Sequence, residues 1–160
     1  MIRDKRLLLS ILLAAIVTVL SGVNSAAAEA GLSKGQYVYV PAYSHIYSGD
    51  NESPMLLTVT LSIRNTDMKH SMKLLSVDYY NTKGKLIRKY LKKPMALKAL
   101  EATRFVVKHS DSSGGSGASF IVRWVSEKPV NMPIMESVMI GTQFQQGISF
   151  TSRGYAIKKN

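Results

Sequence analysis

The sequence predicts an all-β protein: one antiparallel β-sandwich of immunoglobulin-like architecture, about seven to nine strands, behind an N-terminal signal peptide. Three observations carry this. Beyond position 35, apolar residues recur with a period of two wherever a period is clear. Turn residues punctuate the chain every 8–14 residues. No stretch past position 30 has the 3.6-residue period of an amphipathic helix.

Residues 1–28 read as the export signal. Arg3, Lys5 and Arg6 form a positive start, and Leu7 to Leu20 is apolar except for Ser10 and Thr18. Both Ala26-x-Ala28 and Ala28-x-Ala30 satisfy the small-residue rule, which puts cleavage near 28 or 30. A membrane span needs about 20 apolar residues, so a retained N-terminal anchor is the alternative rather than the expectation. Cleavage leaves residues 29–160 as a single domain with its core over about 36–157, large enough to bury a real core. The chain has no cysteine. That excludes a thiol nucleophile, cysteine-held zinc, iron–sulfur clusters, covalent haem and an N-terminal lipoprotein anchor. The residues after the signal carry 18 basic against 9 acidic groups, a net charge of +9 that favours anionic partners. In an exported protein those are acidic polymers, lipid headgroups or acidic envelope proteins, and no nucleic acid is expected.

Each strand has its own signal. Gln36 to Pro41 alternates Val38 and Val40 with Tyr37 and Tyr39. Ser44 to Pro54 reads as a polar loop. Met55 to Asn65 is the cleanest strand, with Leu57, Val59, Leu61 and Ile63 on one face and threonine, serine and arginine on the other. Leu74 to Tyr80 and Lys85 to Leu91 form a hairpin about Asn81-Thr82-Lys83-Gly84, where Gly84 supplies a positive φ. Leu97 to Glu101 reads as a crossover and Thr103 to Lys108 as a short strand. His109 to Gly117 is a loop. Ser119 to Val125 turns Phe120, Val122 and Trp124 inward as core. Pro129 and Pro133 bracket a turn, and Ile134 to Ile140 and Ile148 to Ser152 complete the sheets.

Several segments together resemble a bacterial family known as domain of unknown function 3124. They are Val38 to Tyr47, Leu61 to Asp67, Val77 to Tyr80, Ser113 to Ala118, and Met139 to Thr142 with Gln146 to Phe150. The resemblance implies an exported bacterial domain with no assigned activity, periplasmic when read with the signal peptide. The Lys85 to Lys93 segment is more basic than that family's pattern.

Three clusters are candidate contact sites. The loop holding Asp111, Ser113, Gly114, Gly115, Ser116 and Gly117 has the composition of an anion-binding nest of backbone N–H groups. It is no P-loop, because no Lys-Ser/Thr pair and no helix follow the glycines. The plain reading is a flexible polar connection. Tyr43, His45 and Tyr47 suit a contact surface, being large and amphipathic. Asp50, Asn51 and Glu52 beside them lack the spacing of a calcium loop. Lys85, Arg88, Lys89, Lys92 and Lys93 suit an anionic surface, or equally an edge strand kept from pairing by its lysines. His70 reads as an exposed turn residue.

The expected function is therefore a non-catalytic binding or interaction module of the cell envelope, with no catalytic residues, metal or cofactor. The alternatives are an assembly factor that pairs through a strand edge, and a hydrolase using the 109–116 loop.

Overall fold

The structure, a computed structural model, describes residues 31–142 and 147–158. The expected signal peptide lies outside the described residues. Twelve strands are present among them: β1 (Ser33–Ala42), β2 (His45–Ser48), β3 (Ser53–Leu56), β4 (Thr58–Arg64), β5 (Met72–Tyr80), β6 (Leu86–Lys89), β7 (Met95–Leu97), β8 (Ala102–Val107), β9 (Ala118–Val130), β10 (Ile134–Gly141), β11 (Ile148–Arg153) and β12 (Tyr155–Ile157). One sheet runs β12-β1-β9-β5-β6, with β7 also paired to β5; the second runs β11-β10-β4-β8; β2 and β3 form a separate hairpin. Every pairing is antiparallel.

The period-two pattern explains the packing. Val38, Val40, Val77, Tyr79, Phe120, Val122 and Trp124 of the first sheet share one buried cluster with Val59, Leu61, Ile63, Met135 and Met139 of the second. The two sheets are thus a sandwich around one core. Each fully buried side chain of this size contributes about 1.5–3 kcal/mol. On the far side of the second sheet, Thr58, Thr60 and Ser62 alternate outward as expected.

The strand count exceeds the seven to nine expected, and each extra strand is short. The expected polar loop at 44–54 contains the β2–β3 hairpin, which rides on the end of the sandwich and has no fully dry face to generate alternation. Met55 to Asn65 is not one strand. It breaks at Leu57, which is buried and whose N–H donates to the Ser44 carbonyl at 2.9 Å. The Lys85 to Leu91 strand shrinks to β6, and the expected crossover holds the end of β7 and a turn with Leu100 at φ 60°. Pro129 belongs to β9 rather than to a turn. The β1–β9 register jumps from Gly35↔Val125 to Ser33↔Val130, so Pro129 has no ladder partner to deprive of an N–H. Gly84 takes φ 73°, and its N–H closes the hairpin on the Asn81 carbonyl at 2.8 Å.

Candidate functional site

Three connections meet at one end of the sandwich, the β2–β3 segment, the 81–85 turn and the 108–117 loop, beside the strand ends that flank the β10–β11 turn. Residues 143–146 of that last turn lie outside the described residues. Two hydroxyls tie the end together. Ser44, fully buried, donates through Oγ to the carbonyls of Ser112 and Gly115 and accepts the Gly115 N–H at 2.8 Å. Thr82 Oγ1 donates to the Gly114 carbonyl at 3.1 Å and accepts the Gly117 N–H at 3.0 Å. The Thr82 N–H adds a bond to the same Gly114 carbonyl. Beneath them Gly114 packs on the Tyr79 hydroxyl, where a side chain would collide. That hydroxyl is buried without a hydrogen-bond partner. Burial pushes the phenol up to about 12; the Asp111 charge adds to the shift and the Ser44 hydroxyl opposes it.

The glycine-rich loop is therefore internally cross-linked, with its Ser113, Gly115 and Gly117 N–H groups bonded within the protein. The Gly115 and Gly117 N–H groups are satisfied by Ser44 and Thr82, and the Ser113 N–H and Oγ both go to Asp111 Oδ1. Asp111 also accepts from Arg88 Nη2 at 2.9 Å. Its carboxyl is held below the usual range, first by the Ser113 hydroxyl and with help from Arg88, while burial opposes. Ser116 is half-buried beside these bonds. Among the described residues no histidine is hydrogen-bonded to a serine of this loop, and no group of three or more histidine or carboxylate side chains could hold a metal.

The aromatic cluster divides. Tyr43 is half-buried and edge-on to Phe150 of β11, with centroids 5.7 Å apart. Tyr47 is 52% exposed and bonds His45 Nε2 at 3.2 Å. The basic run divides as well. Arg88 is taken up by Asp111 and by Tyr90, whose ring lies 5.5 Å from the guanidinium. Lys85, with Lys83, lies on the exposed turn at the loop end. Lys89 stands opposite Asp78 on edge strand β6, and Lys92 and Lys93 follow it into the connection to β7. None of these five lysines forms an ion pair among the described residues.

At the opposite end a polar knot went unread in the sequence. Buried Asn65 donates from Nδ2 to the carbonyls of His70 and Lys98, at 2.9 and 2.8 Å. Asp67 accepts the N–H groups of Lys69, His70 and Asn131. These bonds, Lys69 and His70 foremost, lower its carboxyl to about 2. His70, expected as an exposed turn residue, keeps 38% of its side chain exposed and sets Nδ1 3.2 Å from Asp67 Oδ1. The Asn-x-Asp spacing was the available signal, since such residues bond backbone two or three positions on. Also unread was the outer face of the first sheet, where Tyr37, Tyr39, Ile121, Arg123 and Tyr155 stand together.

These features define a two-sheet antiparallel β-sandwich with an internally cross-linked loop end. The chain belongs to the family described as "Protein of unknown function (DUF3124)", whose profile matches residues 35–157. No curated protein matches the chain. Among solved structures it is similar to the one titled "Crystal Structure of Thermotoga maritima 1070", at 10% identity and a TM-score of 0.45, over 77% of this chain and 93% of that one. No helix among the described residues is long and apolar enough to cross a membrane.

Proposed function

We propose that the protein is a non-catalytic binding module of the bacterial envelope, exported to the periplasm, that engages an anionic partner through its loop end. The observation that carries this reading is the convergence of the β2–β3 hairpin, the 81–85 turn and the 109–117 loop on one end, fastened by Ser44 and Thr82. Loops held by a rigid scaffold are where binding residues concentrate. Exposed Lys83, Lys85 and Lys108 carry the positive charge there, and Tyr47 offers an amphipathic ring. Asp50 and Glu52 are exposed in the turn between β2 and β3. Asp111 does not cancel the lysines, because Arg88 already neutralises it.

The test is association with phosphatidylglycerol vesicles and, separately, with polygalacturonate, across a salt series. At least one should bind, with affinity falling steeply as salt rises. Replacing Lys83 and Lys85 by glutamate should weaken that binding about tenfold or more, at near 1 kcal/mol per lysine removed. Salt-independent binding, or binding unchanged by the charge reversal, refutes the loop-end assignment. A second reading, strand addition to a partner, is favoured by one feature: β11, one of the two outer strands of its sheet, is largely exposed and unpaired on one side among the described residues.

A further inference from the structure

The two outer faces of the sandwich differ in chemistry. The second sheet presents Thr58, Thr60 and Ser62 of β4, flanked by the aliphatic Val106 of β8 and Val138 and Ile140 of β10. The first sheet adds aromatic rings to its aliphatic side chains. Its inward residues are Val38 and Val40 of β1 and Phe120, Val122 and Trp124 of β9, so the alternate positions point out. Register pairs Tyr155 with Tyr39 and Tyr39 with Ile121, in one row across β12, β1 and β9. The next row pairs Ile157 with Tyr37 and Tyr37 with Arg123. Tyr155 is 67% exposed, Ile157 42% and Tyr39 37%. The Arg123 guanidinium lies 5.4 Å from the centre of the Tyr37 ring. A contiguous apolar face of this kind on a soluble domain marks an interaction surface.

We infer that this face binds an extended acidic polysaccharide chain, its sugar rings lying on the tyrosines and its carboxylates meeting Arg123 and Lys89. The inference rests on the reading that the partner is anionic, and it names that partner's class. The aromatic face has a negative π-surface, which suits the electropositive C–H face of a pyranose ring. Tyr39 on β1 and Tyr155 directly across on β12 give two adjacent exposed rings as stacking places along an open surface. That suits a polymer better than a small molecule, which needs a concave pocket. The charge matches too. Arg123 and Lys89 outnumber Asp78, the acidic residue between them in the strand rows, and the Arg123 guanidinium, whose carbon lies 5.4 Å from the Tyr37 ring centre, has N–H donors for a carboxylate. On β5 the row after Asp78 reaches Tyr80, paired with the buried Ser119, and the chain then enters the 81–85 turn that carries Lys85.

The experiment compares polygalacturonate, its methyl ester and dextran by isothermal titration on the intact exported domain. Polygalacturonate should bind, the methyl ester about tenfold more weakly, and dextran not measurably. The double variant Tyr39→Ala/Tyr155→Ala, at exposed positions with an unchanged circular dichroism spectrum, should weaken polygalacturonate binding about tenfold, and Arg123→Gln about threefold. Loss of binding in Lys83→Glu/Lys85→Glu with full binding in the tyrosine variant would keep the loop-end reading and overturn this one. So would vesicle binding without polygalacturonate binding. Sedimentation showing a dimer that the tyrosine variant dissociates would assign the face to a second copy of the chain, and would also overturn it.

Discussion

Replacing Gly114 by alanine puts a methyl group where the Tyr79 hydroxyl already stands. The new Cβ would overlap Tyr79 Oη and come within 2.7 Å of Cζ and 2.8 Å of Ala118 Cβ. Neither side can yield cheaply. The Tyr79 ring is fully buried, with the Phe120 ring 4.9 Å away. Lifting the loop would break the two Thr82 bonds to the Gly114 carbonyl and the Gly115 N–H bond to Ser44. Overpacking of this sort costs about 1–3 kcal/mol, and the blocked escape routes place Gly114→Ala at the upper end. For a domain of this size that is a fall in Tm of about 5–15 °C. Tyr79→Phe removes a buried hydroxyl that has no hydrogen-bond partner, and should stay within about 1 kcal/mol of the parent. Combining the two removes the worst overlap but leaves the close approaches to Cζ and Ala118 Cβ, so the double variant should recover part of the loss, about 1 kcal/mol over additivity in urea unfolding. A Gly114→Ala protein as stable as the parent, or a double variant that is merely additive, would refute the packing argument.

Other consequences follow from the same bonds. Asp67 holds its proton less tightly in the fold, at about 2 against an ordinary 3.8, so its stabilisation is complete above about pH 4 and is lost as pH falls through 2; Asp67→Asn should flatten that acid limb of a Tm-against-pH curve. Tyr79 behaves oppositely. Its raised value means stability is intact below pH 10 and declines as pH rises toward 12, and Tyr79→Phe should remove that share of alkaline destabilisation. Ser44→Ala strands the Gly115 N–H and should cost about 1–3 kcal/mol, with faster hydrogen exchange across residues 112–117. Unchanged exchange there would show that Ser44 does not fasten the loop.

The fold was legible where one side of a strand is dry and the other wet. Leu57 to Ile63 and Phe120 to Trp124 announce themselves because a one-residue slip would expose every core side chain. Gly84 was legible because a tight hairpin needs its positive φ. The β2–β3 hairpin was not, since Tyr47 and Ser48 have no core to face and leave no alternation. The site was legible only as a set of segments. That 44–47, 81–85 and 109–117 meet depends on bonds spanning up to 71 residues, such as Gly115 to Ser44, which no local pattern encodes. Composition made the serine–glycine loop resemble an anion nest, yet its Ser113, Gly115 and Gly117 N–H groups are used internally. It placed Arg88 among the free cations, yet Asp111 claims it. The tyrosine face was visible as alternation in Tyr37 and Tyr39, but its partner Tyr155 joins only through the β1–β12 register.

The most direct test of the account is an amide NMR titration of the intact domain with polygalacturonate. Shifts should gather on 37–39, 80–85, 121–123 and 155–157 and disappear in high salt. Shifts confined to the Asn65–Asp67 end or to the threonine face of β4, or none at all at saturating polymer, would contradict it.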